Sequence, residues 1–294
     1  MTNQRFILLH GFAGSPDSWQ EVAEVLPSGS ALLRLSILGH GKAEDPHGHQ
    51  HTGSSPGRSL EPASGPFETE VDRLAAQVLA AGFQGSHLVG YSLGGRLALG
   101  LLARHPELVA SASLIGAHTG LGSQEERRQR MLRDESWADL AETTGLASFL
   151  EKWEEQPLFS TQNQEQRSLQ NHRRRHLDPM GLGRALRSLS LARMPDYRPR
   201  IPTLEMPIRW IAGERDAKFR RLAKEAAQAQ RAGTYARVPA SGHNVPLEQP
   251  RLLAALLAED LTLEDSPHKD CGPEEHSLRN QKTDTQIVME GSLR

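Results

Sequence analysis

The stretch Val89-Gly90-Tyr91-Ser92-Leu93-Gly94-Gly95-Arg96-Leu97-Ala98-Leu99 constrains this chain more than any other. The apolar run from Ser86 to Val89 reads as a buried strand, and Arg96 to Leu102 reads as a buried helix. Between them lies a Gly-x-Ser-x-Gly-Gly turn. Strand, tight turn and helix form the context in which a serine hydroxyl is displayed at the top of a sheet. Glycines on both sides remove the Cβ atoms that would clash in so tight a turn. The helix that follows points its N-terminal amides toward the same centre. The pentapeptide alone arises by chance in roughly one chain in ten of this length. Its competing reading is a glycine-rich turn without chemistry, and other parts of the chain must decide.

Read in order, the chain repeats one unit. Arg5 to Leu9 is a short apolar strand that runs into His10-Gly11-Phe12-Ala13-Gly14-Ser15, followed by a helix from Pro16 to Leu26 with Trp19, Val22 and Leu26 on one face. Ala31 to Leu35 reads as a strand, Phe67 to Ala81 as a helix, and Leu108 to Gly116 as another buried strand. Ile208 to Gly213 and Tyr235 to Val238 read as strands, with helices predicted over Leu222 to Gln230 and Leu252 to Leu261. Strands separated by helical segments predict an α/β fold with a mostly parallel central sheet, whose functional loops lie at the carboxyl ends of the strands.

Between Gly120 and Arg200 the texture changes to charged, helical sequence without strand runs, around Trp137, Leu140, Phe149, Leu150 and Trp153. This predicts a helical cap over 119–202, inserted into a core made of 1–118 and 203–264. The polar, aperiodic residues 265–294 read as a disordered tail. Residues 44–66 are rich in Gly, Pro, Ser and His. Their alternating His47, His49 and His51 lack partners at ligand spacing, so a solvated loop is expected and no metal site.

The composition excludes several classes of function. A net charge of −2 in 294 residues gives no global field for nucleic acid. The one cysteine, Cys271, excludes an internal disulfide framework and falls in the expected tail. There is no signal-peptide pattern and no apolar run long enough to span a membrane, so a cytoplasmic protein without stable membrane insertion is expected.

Two further residues complete the serine. Asp216 follows the strand ending at Gly213, and His243 follows the strand ending at Val238, giving the chain order Ser92, Asp216, His243. All three are expected at one edge of a parallel sheet. A serine hydroxyl is inert at neutral pH until an imidazole takes its proton, and a carboxylate fixes the imidazole tautomer. The backbone N–H groups of Phe12 and Leu93 are placed to form an oxyanion hole beside Ser92.

These motifs also carry a resemblance. Residues 6–41, 86–118 and 206–250 resemble the α/β-hydrolase superfamily. More narrowly, the chain resembles the 2-succinyl-6-hydroxy-2,4-cyclohexadiene-1-carboxylate synthase family of the menaquinone pathway. The carrying residues are His10 to Ser15 with Trp19, Gly90 to Arg96, Gly213 to Phe219, and Gly242-His243-Asn244 with Glu248 and Pro250. In the cap they are Gly120-Leu121, Arg130, Trp137, the run Trp153-Glu154-Glu155-Gln156-Pro157-Leu158-Phe159, and Arg174 followed by Asp178-Pro179-Met180-Gly181-Leu182. The arginine directly after the double glycine and the Trp-x-x-Gln-Pro-x-Phe motif are the most specific of these.

The resemblance implies an α/β-hydrolase fold with a helical cap insertion. It implies a lyase that removes a ring proton and expels pyruvate, using no metal and no organic cofactor. Ser92 would be the base, His243 its activator and Asp216 the orienting carboxylate. Tyr91, Arg96, Arg130, Trp153, Arg174 and Lys218 match substrate-binding positions, and the partner is a small-molecule polycarboxylate. Guanidinium groups bind carboxylates bidentately, which suits such a substrate independently of the family. The choice among Arg173, Arg174 and Arg175 rests on register alone. The alternative is a carboxylic-ester or thioester hydrolase using the same three residues, although a generic esterase pocket is mostly apolar. The chain departs from the family at Ser36-Ile37-Leu38-Gly39-His40-Gly41, where an Asp-Leu-Pro-Gly-His-Gly run is usual, and at Val245-Pro246.

Overall fold

Alternation along the first strand fixes how the layers stack. In the computed structural model, which describes residues 4–41 and 65–259, β1 (Arg5–Leu9) sends Ile7 and Leu9 to one face of the sheet and Phe6 and Leu8 to the other. Both faces are covered, so from Phe6 onward the strand is apolar rather than alternating with polar residues. The other strands are β2 (Ala31–Leu35), β3 (Ser86–Tyr91), β4 (Val109–Ile115), β5 (Ile208–Gly213) and β6 (Gly233–Val238). All pair in parallel, in the order β2-β1-β3-β4-β5-β6. The order reverses between β1 and β3, and a crevice for ligand is expected at the carboxyl ends of those two strands.

The helices are α1 (Gln20–Val25), α2 (Pro66–Ala80), α3 (Leu93–Arg104), α4 (Gln124–Glu154), α5 (Gln164–Arg174), α6 (Pro179–Ser188), α7 (Ala217–Ala229), α8 (Val245–Glu248) and α9 (Pro250–Ala258). Apolar residues of α2, α3 and α7 join Ile7, Leu9, Leu88, Leu114 and Trp210 in one core. Trp19, Val22 and the α9 residues Leu253 and Leu257 cover the other face, on Phe6, Leu8, Val89 and Ile211. The chain is thus an α/β-hydrolase fold with a six-stranded parallel sheet and flanking helices.

Helices α4, α5 and α6 occupy the stretch between β4 and β5. α4 and α6 form a third cluster through Ala138, Phe149, Leu150, Leu182 and Leu186, which also takes in Ala13 and packs on Phe12 from the loop after β1. That contact places this helical layer over the carboxyl end of the sheet. Helix α4 is interrupted at Gly145, which has φ 79° and ψ 170°.

The sequence placed the helix after β5 at Leu222, but it begins at Ala217. Asp216 is its N-cap, and its Oδ1 accepts the N–H of Phe219 at 3.2 Å. Capping recruits Lys218 and Phe219 into the first turn, although neither supplies a periodic apolar signal. The expected loop over 44–66 (apart from Gly65 and Pro66), with its histidines, lies outside the described residues. So does the expected tail over 265–294, with Cys271. Among the described residues no helix is long and apolar enough to cross a membrane.

Candidate active site

Strand β3 ends at Tyr91 and α3 begins at Leu93, so Ser92 alone makes the turn, with φ 53° and ψ −106°. A positive φ at a non-glycine residue costs about 1–3 kcal/mol and persists only where surrounding structure enforces it. Two contacts do so here. The Ser92 N–H donates to the Ile115 carbonyl at the end of β4, at 2.8 Å. Gly94 lies so close to β1 that a Cβ there would stand 2.2 Å from the Leu9 carbonyl oxygen. The start of α3 is therefore pressed against the loop that carries Phe12.

His243 and Asp216 reach Ser92 from the ends of β6 and β5. The His243 Nδ1–H donates to Asp216 Oδ2 at 2.7 Å, and Ser92 Oγ–H donates to His243 Nε2 at 3.0 Å. Both His243 and Asp216 are buried. Glu248 pins the histidine loop on either side, accepting the Gly242 N–H at 2.8 Å and the Asn244 N–H at 3.1 Å. The rings of Phe219 and Tyr91 flank the imidazole at 4.5 and 5.5 Å. Gly116, at φ 56°, lies beneath it, where a Cβ would meet Cε1 at 2.8 Å. This arrangement can draw the proton from Ser92 and hold the resulting imidazolium against a carboxylate. The oxygen so activated can act as a nucleophile or as a base.

Leu93 is the first residue of α3, so its N–H has no intrahelical acceptor. Phe12 lies in the turn closed by the Gly14 N–H on the Gly11 carbonyl at 3.1 Å. Phe12 and Leu93 line one cavity with Ser92 and His243.

Ser92 stands between two cavities, which share Phe12, Trp153, Leu158 and His243 as a partition. The larger, about 260 Å³, carries Arg96, Arg130, Arg133 and Lys218 in its wall, with Asp134 as its carboxylate. Arg130 Nε–H reaches both Asp134 oxygens at 2.8 Å, and the Ser190 hydroxyl donates to the same carboxylate at 2.7 Å. Arg96 has no ion pair among the described residues and donates to the Leu189 carbonyl at 2.8 Å. Burial, and then the charge of Arg130, push its pKa down to about 9, so it stays cationic at neutral pH. Lys218 is lowered by the same two causes, burial first. The wall thus holds more positive charge than its own acid can balance, which favours anionic ligands.

The smaller cavity, about 70 Å³, is lined by Tyr91, Gln170, Arg174 and Asn244. Burial pushes the Tyr91 phenol far above its ordinary range, so it is a neutral donor or acceptor. Arg174 stands apart from the cationic cluster. It is buried, pairs with Glu154 at 2.8 Å and donates from Nε to the Ala13 carbonyl at 2.9 Å. Of the three consecutive arginines, Arg173 also lines this cavity and is paired with Glu21, whereas Arg175 donates to its neighbour His176 at 2.9 Å. Trp153 borders both cavities, packs on Phe12 at 4.7 Å, and leaves its buried Nε1–H without a partner among the described residues. Sequence reasoning missed Arg133, Asp134 and His118. Only His118 had a legible signal, since it follows the carboxyl end of β4.

Comparison with known proteins fits this geometry. The family model for the alpha/beta hydrolase fold matches residues 4–250. The 2-succinyl-6-hydroxy-2,4-cyclohexadiene-1-carboxylate synthase of Escherichia coli O1:K1 / APEC is 31% identical over 255 residues, covering 87% of this chain and 92% of its own. The same synthase from Enterobacter sp. (strain 638) is 30% identical over 257 residues, with 87% and 91% covered. The chain belongs to the 2-succinyl-6-hydroxy-2,4-cyclohexadiene-1-carboxylate synthase family. The solved structure of MenH from S. aureus shares the fold, with a TM-score of 0.76 at 23% identity over 87% of this chain and 92% of that one.

Departures from the synthase family pattern have local explanations. Around Ser36, α2 holds the loop: Glu70 accepts the Leu38 N–H at 2.8 Å, and Arg73 donates to the Ser36 carbonyl at 2.8 Å. Val245 is buried in the core against α9, while Pro246 lines the smaller cavity. Among the described residues no group of three or more His, Cys, Asp or Glu could hold a metal ion.

Proposed function

We propose that this protein eliminates pyruvate from 2-succinyl-5-enolpyruvyl-6-hydroxy-3-cyclohexene-1-carboxylate, giving 2-succinyl-6-hydroxy-2,4-cyclohexadiene-1-carboxylate. The observation that carries the reading is Ser92 Oγ, 3.0 Å from His243 Nε2, in the wall of a cavity with four cationic side chains and one carboxylate. A hydrolase of simple esters has no use for so much unbalanced positive charge. A substrate with several carboxylates does.

In this mechanism His243 takes the Ser92 proton, and the serine oxygen removes a proton from the substrate ring. The electron pair released from the C–H bond forms the new ring double bond as the C–O bond to the enolpyruvyl group breaks, and the enolate that departs takes up the proton held by His243 to become pyruvate, which returns the site to its resting state. Negative charge that develops on the substrate oxygen is met by the N–H groups of Phe12 and Leu93. Asp216 holds His243 in the tautomer that accepts at Nε2. Arg96, Arg130 and Lys218 take the carboxylates, Trp153 shapes the partition on which the ring lies, and Tyr91 contacts the substrate from the smaller cavity, beside His243. Arg174, neutralised by Glu154, acts on that partition through Ala13 rather than as a free anion site. The helical layer over 119–202 is the cap that encloses the substrate, and the reaction is assigned to the cytoplasm.

The test is a paired assay. Purified protein should convert the pathway intermediate, and Ser92→Ala should abolish conversion while leaving the circular dichroism unchanged. Rapid hydrolysis of p-nitrophenyl esters with no action on the intermediate would instead assign an ester hydrolase using the same three residues.

A further inference from the structure

His118 lines the cationic cavity, and its Nε2–H finds no acceptor among the described residues. It lies three residues beyond the end of β4, at the sheet edge that also presents Ser92 and Asp216. Its Nδ1 accepts the Gly120 N–H at 3.1 Å. The neutral ring therefore carries its proton on Nε2, and no group among the described residues accepts it. Its ring meets Phe219 edge-on at 6.5 Å, and Phe219 in turn packs on His243 at 4.5 Å.

We propose that His118 is a substrate-binding residue, donating its Nε2–H to a carboxylate oxygen held among Arg96, Arg130 and Lys218. The assignment rests on the reading of this cavity as the polycarboxylate site. It adds a neutral donor to a wall otherwise described by its charges. The wall explains why the ring is neutral. Burial, then the charges of Lys218, Arg96, Arg130 and Arg198, hold the imidazole at about 4. Arg133 and Asp134 from α4 line the same cavity. On its far side His118 borders a second cavity whose charges are Glu126, Arg198, Arg221 and Glu225. Of these, Arg198 is paired with Asp196, and Arg221 with Glu225.

A carboxylate placed against Nε2–H reverses the balance. It offsets the four cations and accepts from the ring, and both effects favour the imidazolium. Binding is then coupled to proton uptake, and the anion binds more tightly as pH falls toward the bound-state pKa. A histidine that only packed on Phe219 would show no such coupling.

The experiment follows the His118 ring Cε1–H signal by NMR on the whole protein, assigned by its loss in His118→Phe, with succinate as the probe dicarboxylate. Without succinate the signal should titrate at about 4. With saturating succinate its midpoint should rise by about one pH unit or more. Succinate affinity should drop about ten-fold in His118→Phe, the worth of one hydrogen bond to a charged group, and recover in part in His118→Gln, which restores a donor. An unmoved midpoint at the highest soluble succinate concentration would overturn the proposal, as would equal affinity in His118→Phe. Running the titration in Ser92→Ala separates this inference from the chemistry. If the elimination fails but the shift persists, His118 still binds carboxylates. If elimination succeeds and the shift is absent, only the His118 assignment falls.

Discussion

Arg96 shows how far a single residue can carry the reading of this site. It lies in the first turn of α3, where a cation opposes the positive end of the helix dipole. It is also drawn out of water without an ion pair among the described residues, its burial and the charge of Arg130 outweighing the pull of the Asp134 carboxylate. Both costs vanish when an anion binds. Arg96→Ala should lower kcat/KM for the elimination by about 10–100-fold, the range for a hydrogen bond to a charged group. Arg96→Lys should not restore it fully, because a point charge cannot reproduce a planar fork. Steady-state kinetics of both variants check this. Gly116 offers a second test, since an added methyl must displace the His243 ring it would meet at 2.8 Å and must also adopt φ 56°. Gly116→Ala should lower kcat by at least ten-fold while the fold is retained by circular dichroism. At this scale the sequence showed Ser92, Asp216 and His243 because each follows the end of a strand. It could not show that Arg174 is neutralised, because Glu154 lies on another helix, twenty residues earlier.

Helices and strands of the core were legible because their periodicity is their reason for existing. β1 is apolar from Phe6 to Leu9, β3 carries the buried pair Leu88-Val89, and α2 carries Val71, Leu74 and Val78 on one face. Start points governed by capping were less so, as the early beginning of α7 behind its Asp216 cap shows. Between α4 and α5 the structure depends on a buried charge pair that no periodicity announces. Arg174 is pushed down from its ordinary value by burial, and the Glu154 carboxylate opposes that shift. Glu154→Gln should therefore leave a buried cation without its counter-charge and destabilise the protein by about 3–5 kcal/mol. Replacing both partners, as Glu154→Gln with Arg174→Met, should recover much of that loss. Urea unfolding of the two variants measures the difference. A single variant as stable as the parent would show that the pair is dispensable to the packing of α5.

At the scale of the whole molecule, the loops that build the site are held by histidines that must stay neutral. His10 and His40 are fully buried, with ring centroids 5.3 Å apart, and His40 packs edge-on against Phe12 at 5.1 Å. His10 donates from Nδ1 to the Gly11 carbonyl at 2.8 Å, and His40 donates from Nδ1 to the Leu38 carbonyl at 2.9 Å. Burial holds His10 at about 4 and His40 at about 3, the latter helped by the neighbouring His10. In the unfolded chain both titrate near their ordinary value of 6.5. Between that value and the folded ones the unfolded state binds more protons, so stability is complete above about pH 6.5 and declines as pH falls. Each such proton contributes a slope of about 1.4 kcal/mol per pH unit at its limit. Carboxylates that are lowered in the fold, such as Asp72 beside Arg104, act in the same direction but only below their ordinary value of 3.8. The interval from pH 6 to 5 therefore reports on the histidines. His40→Asn keeps a donor for the Leu38 carbonyl and removes the titration. The slope of unfolding free energy against pH should then fall by about 1.4 kcal/mol per unit in that interval, whatever the variant's absolute stability. An unchanged slope in urea titrations at pH 6.0, 5.5 and 5.0 would mean that His40 is not kept neutral by the fold. Because both rings pack around the loop bearing Phe12, loss of elimination on acidification should accompany or precede global unfolding rather than follow it.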